Sequence, residues 1–214
     1  MRLALLLVFA AALAACGSKP RTPDWQVNAR GALERYVDAY LDGNARAEAA
    51  EFERARRELG STGQPGLVAR AELTRCALQV ASLVFEPCAG FEPLRADAPA
   101  PETAYADYLA GRIGLPDVGL LPPQHRAVAS AQGAAALQAI DDPLSRLVAA
   151  GVLFRKGQAT PGVLAQAADT ASLQGWRRPL LAWLGVQARR AEQAGALEEA
   201  QRLRRRMALA AGER

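Results

Sequence analysis

Residues 141–207 read DDPLSRLVAAGVLFRKGQATPGVLAQAADTASLQGWRRPLLAWLGVQARRAEQAGALEEAQRLRRRM. Asp142-Pro143 and Thr160-Pro161 each set a capping side chain before a proline at the first helical position, so both pairs predict helix starts. Further starts near Pro179 and Leu197 make a recurrence of about eighteen residues, and hence a helix pair that repeats after about 36. The apolar positions repeat with it: Leu144 with Leu180, Leu147 with Trp183, Val148 with Leu184, Val152 with Ala188, Leu164 with Ala200, Ala167 with Leu203, and Ala171 with Met207. One helical hairpin stacked on another produces this pattern, because each pair then buries an equivalent stripe against its neighbour.

Toward the N-terminus the punctuation changes. Between residues 86 and 123, Pro87, Pro93, Pro99, Pro101, Pro116, Pro122 and Pro123 divide the chain into short pieces. This reads as a long connection lying on the helices, with one short helix over residues 102–112 that turns Tyr105, Tyr108 and Leu109 inward. Before it, residues 65–85 predict a helix that is apolar nearly all round after Cys76 (ALQVASLVF), the most buried element. Residues 25–42 place Leu33, Tyr36, Val37, Tyr40 and Leu41 on one face and end at Asp42-Gly43-Asn44. Residues 45–59 keep the same period with Ala45, Ala49, Phe52, Ala55 and Leu59, so the two segments predict an antiparallel hairpin.

Composition agrees with an all-α chain. Of 214 residues, 50% are hydrophobic but only 6% aromatic, which favours closely spaced helices joined through small side chains over strands. The formal charge is +4, and lysine appears only at Lys19 and Lys156, so the basic side is almost all arginine. The expectation is antiparallel helical hairpins in a solenoid or an irregular bundle. The 36-residue period resembles that of tetratricopeptide repeats. Ala188, Gly195 and Ala200 fall on that family's small positions, while Ala191 stands where it carries an aromatic. That resemblance covers at most residues 143–211, with residues 25–59 as an additional candidate, and ordinary bundle packing stays open beside it.

The chain starts with Met1-Arg2 and an unbroken apolar run from Leu3 to Ala12, too short for the roughly 20 residues of a membrane-spanning helix. Leu13, Ala14, Ala15 and Cys16 follow, and this tetrad resembles the lipobox of bacterial lipoproteins. The resemblance implies a signal peptide at residues 1–15 and a Cys16 that becomes the acylated N-terminus. It further implies attachment to the lipid bilayer through acyl chains, and Gly17-Ser18 after the cysteine resembles outer-membrane sorting rather than inner-membrane retention. Residues 16–24, rich in proline and polar side chains, then read as a tether for an all-helical periplasmic domain at residues 25–214.

Export places Cys76 and Cys88 where disulfides persist, and the two are expected to pair. If the helix runs to Phe85, Cys76 lies about 13 Å up from its end, so the backbone must reverse at once. Two free buried thiols are the alternative, with a redox or metal role a third.

Catalytic signatures are missing from the sequence. The single histidine, His125, follows Pro122-Pro123 in the first turn of a helix and is expected to be solvated there. There is no nucleophile elbow, phosphate-binding loop or dinucleotide fingerprint. No catalytic residue, metal or cofactor is predicted, and export removes the chain from nucleic acid. The strongest surface feature is the run Arg202, Arg204, Arg205 and Arg206, preceded by Arg189 and Arg190, which reads first as a solvated face. Trp25 beside the tether, with Arg202, Arg205 and Arg206, are the candidate partner contacts. A tethered stack of hairpins resembles the helical-repeat lipoproteins that act as adaptors, which implies a scaffold for an envelope protein complex. The alternatives are an envelope enzyme, such as a wall hydrolase pairing a carboxylate with His125, and a small-ligand binder.

Overall fold

The computed structural model describes residues 21–130 and 133–212, so the expected signal peptide and Cys16 lie outside the described residues. All regular structure among them is helical. Helix α1 (Asp24–Asp42) ends on Gly43 at φ +77°, and Asn44 caps α2 (Ala45–Gly60) by accepting from the Ala47 N–H at 3.2 Å. The turn is therefore made by the residues whose chemistry announced it. Tyr36, Tyr40, Phe52 and Leu59 close the hairpin, with the Tyr36 and Phe52 rings 4.9 Å apart. Ala45 and Ala49, which share the helical period, are exposed.

Helix α3 (Pro65–Ala81) lies between two cores. Ala71 and Leu78 face the first hairpin, while Leu73, Cys76, Val80 and Ala81 enter the larger cluster made with the rest of the chain. It stops four residues earlier than the apolar run predicts. Leu83 takes a left-handed conformation at φ +60°, the Val84 N–H bonds back to the Gln79 carbonyl at 2.8 Å, and Leu83 N–H bonds to Val80 at 3.0 Å. This is a helix terminus of the kind glycine usually makes, built here at a leucine, where the conformation costs on the order of 1 kcal/mol or more. With the helix ending at Ala81 the chain has room to double back, and Cys76 and Cys88 are disulfide-bonded with Cα atoms 5.7 Å apart.

The proline-rich segment holds more structure than a single short helix. It forms a 3-10 turn at Glu92–Asp97, α4 (Ala100–Leu109), and a second 3-10 turn at Leu115–Leu120. Phe91 and Leu121 are fully buried, so the connection contributes to the main core. Helix α5 (Pro123–Ala129) and a 3-10 segment at Gly133–Ala139 lead to the final array.

That array is α6 (Pro143–Arg155), α7 (Pro161–Gln174), α8 (Arg177–Gln193) and α9 (Leu197–Ala211), each packed on the one before. Asp142 and Thr160 cap as their positions predict, accepting from Ser145 N–H at 2.7 Å and Val163 N–H at 3.3 Å. Helix α8 starts two residues ahead of Pro179. Corresponding positions of the repeat mostly agree in burial: Leu147 and Trp183 are buried, as are Val148 and Leu184, and Ala167 and Leu203, while Ala171 is buried and Met207 only partly so. Each such large side chain contributes about 2 kcal/mol by leaving water. Helix α3 docks on α6 at Gly151, where an added Cβ would sit 2.2 Å from the Val80 carbonyl oxygen. Arg178 joins the first hairpin to α8, bonding Glu48 at 2.7 Å and lying over the Tyr40 ring at 4.0 Å.

Candidate functional site

Helix α3 carries Arg70, Leu73 and Thr74 at i, i+3 and i+4, so the three share one face. Across from them α4 presents Pro101, Glu102 and Tyr105, and the third wall is the stretch from Leu120 to Pro123 with Arg126. These elements line a cleft of about 450 Å³ that is open to solvent, within the usual size range for a small-molecule site. The third wall owes its shape to Pro122-Pro123. A residue before proline is held extended, and Leu121 (φ −66°, ψ 155°) and Pro122 (φ −50°, ψ 137°) both are. Arg126 ties this wall down by donating its Nε–H to the Leu121 carbonyl at 2.8 Å.

Glu102 is 7% exposed, in the first turn of α4, where the helix dipole favours its charge. Its Oε1 accepts from Arg70 Nε, while its Oε2 has no hydrogen-bond partner among the described residues. The terminal nitrogens of Arg70 and Arg126 likewise make no hydrogen bond among the described residues. A second buried carboxylate, Glu72, is structural. It pairs with Arg56 at 3.0 Å and Arg75 at 2.8 Å, and it packs against Gly90 so closely that a Cβ there would lie 2.1 Å from Oε2.

Behind the cleft stands His125. Against the expectation of a solvated helix-end residue it is 2% exposed, with its ring centroid 5.7 Å from that of Tyr105 and 5.0 Å from that of Tyr108. Its Nδ1 shares a hydrogen bond with the Tyr108 hydroxyl at 3.3 Å. The reason is the turn of α5: Leu121 is drawn into the core, and the first helical turn after the prolines therefore faces inward rather than out. Burial pushes the imidazole down to about 4, opposed by the charge of Asp142, so the ring is neutral at pH 7. Burial raises both tyrosine hydroxyls well above their ordinary value. No carboxylate hydrogen-bonds to the ring among the described residues, as a hydrolase pairing of His125 would require.

A second groove, of about 600 Å³, runs along α7, bounded by Val163, Gln166, Thr170 and Leu173 and by Ala134 and Gln138 of the neighbouring 3-10 segment. Leu173 is 85% exposed. Trp25, a candidate partner contact, is half-buried and packs on the first-hairpin core. Arg202, Arg205 and Arg206 all face solvent on α9, with Arg202 paired to Glu199 and Arg204 to Glu192. The structure does not bring Trp25 and these arginines together in either cavity. No group of three or more metal-ligating side chains occurs among the described residues, and none of their helices is long and apolar enough to cross a membrane.

The sequence reading passed over Arg70, Glu102 and Arg126. The first two pair across 32 residues with no motif linking them, and the only local signal was Pro122-Pro123, which announces an extended wall but not what it faces. Compared with protein-family models, with curated proteins and with solved structures, the chain matches none.

Proposed function

We propose that this chain is a lipid-anchored periplasmic lipoprotein, held on the outer membrane through Cys16, that serves as a helical scaffold for a protein partner of the cell envelope. Leu13-Ala14-Ala15-Cys16 after an apolar leader supports the anchor, and the Cys76–Cys88 bridge is in keeping with an oxidising compartment. The observation that carries the scaffold reading is the groove along α7. It is open, mixed in polarity and edged by a bare Leu173, which suits an apolar anchor residue of a partner set in a polar rim. The cleft between α3 and α4, lined by two arginines and several apolar side chains, favours a second reading, a small-ligand binder.

Photo-crosslinking in intact cells tests the scaffold. A crosslinker replacing Leu173 is expected to give one discrete protein adduct, and the same probe at Leu209, equally bare on α9, is expected to give none. Indistinguishable labelling at the two positions overturns the groove as the contact. For the anchor, Cys16→Ser is expected to leave the chain extractable without detergent, and unchanged membrane partitioning refutes acylation.

A further inference from the structure

We propose that the cleft between α3, α4 and the Leu120–Pro123 wall is a binding site for a small monocarboxylate with an apolar body. The two arginines that line it are held in the same way. Arg70 is fixed through Nε by the buried Glu102, and Arg126 through Nε by the Leu121 carbonyl. Each guanidinium thus has its orientation set at one edge and its terminal nitrogens left over, the arrangement that receives a carboxylate with little ordering cost. Glu102 is a positioning residue here: it acts through Arg70, whose Nε–H it holds from a buried position.

Charge selects the ligand class. Two guanidiniums and one carboxylate leave a net charge of one positive unit at the cleft (2 − 1 = 1), which matches a single negative charge better than a doubly charged phosphate. Apart from Thr74, whose hydroxyl donates to the Arg70 carbonyl, the rest of the lining, Leu73, Tyr105, Leu120, Leu121 and the prolines, is largely apolar and asks for a hydrocarbon or aromatic body. This goes beyond the scaffold reading and is independent of it, since the α7 groove and this cleft share no residue.

Fluorine NMR titration of 4-fluorophenylacetate against the full-length protein in nanodiscs, with empty nanodiscs subtracted, tests the site. Saturable binding with a dissociation constant on the order of 0.1 mM is expected, with 4-fluorotoluene and fluoroacetate each weaker by about tenfold or more. Arg126→Gln, which removes one guanidinium and its bond to the Leu121 carbonyl, is expected to weaken binding about tenfold with only a small fall in thermal stability. Arg70→Gln and Glu102→Gln are each expected to weaken it by a similar factor, and the two together by no more than either alone, because both remove one positioned guanidinium. Equal binding of the neutral analogue, tighter binding of 4-fluorobenzyl phosphate, insensitivity to Arg126→Gln, or no saturable binding overturns the proposal.

Discussion

In the array from α6 to α9, positions that correspond along the repeat do the same work: Leu147 and Trp183 fill the core, and Val148 and Leu184 support them. Between Ser82 and Ile140 nothing repeats. There the chain is held by a disulfide, a left-handed leucine, an enclosed imidazole between two tyrosines, and a glycine pressed against a buried carboxylate. The array spreads its stability over many similar apolar contacts, whereas the irregular segment concentrates it at a few unlike points. The cleft falls where the irregular segment meets α3, with two of its three walls made of unlike short pieces.

The sharpest way to break the comparison is where the array meets α3, the helix that leads into the irregular segment. Gly151→Ala puts a methyl group where the Val80 carbonyl stands, forcing α3 off α6, and should cost about 3 kcal/mol or more by chemical denaturation, a larger penalty than alanine elsewhere in α6. Opening the Cys76–Cys88 bridge should come next. It releases a loop whose closure is worth about 3 kcal/mol, and hydrogen exchange should rise over residues 84–98 while α7 to α9 keep their protection. Equal loss of protection throughout would mean that the two regions are one cooperative unit.

Third is acidity. His125 has its folded value pushed down to about 4 against an ordinary 6.5, so above pH 6.5 both folded and unfolded chains carry a neutral ring and stability is at its full value. As pH falls from 6.5 toward 4 the unfolded chain takes up the proton and the folded one resists it, which should remove about 2 kcal/mol by pH 5. His125→Gln should flatten that part of the pH–stability curve. A slope unchanged by the substitution would place the ring in water.

The array was legible because helix caps and apolar period are local properties: Asp142, Thr160 and the leucines declare themselves within a few residues. The first hairpin was legible for the same reason at Gly43-Asn44. The end of α3 was not, since Leu83 carries no sign that it will turn left-handed, and the continuing apolar run VASLVF argued for more helix. His125 was misjudged because exposure at a helix start depends on which way the preceding wall faces, and that is set by Leu121 entering a core assembled from distant segments. The cleft was invisible for a related reason: Arg70 and Glu102 become partners only once α4 has been laid against α3, and no spacing in the chain encodes that docking.

Trp183 has one more consequence. Its indole N–H donates to the Ala81 carbonyl at 2.9 Å, across 102 residues, so the last open acceptor of α3 is supplied by α8. During synthesis, α3 emerges long before that donor exists, and its frayed end must wait, wet, until 102 further residues have been made. The ring therefore acts as a latch closed late, and its fluorescence should report the final act of assembly rather than the first collapse.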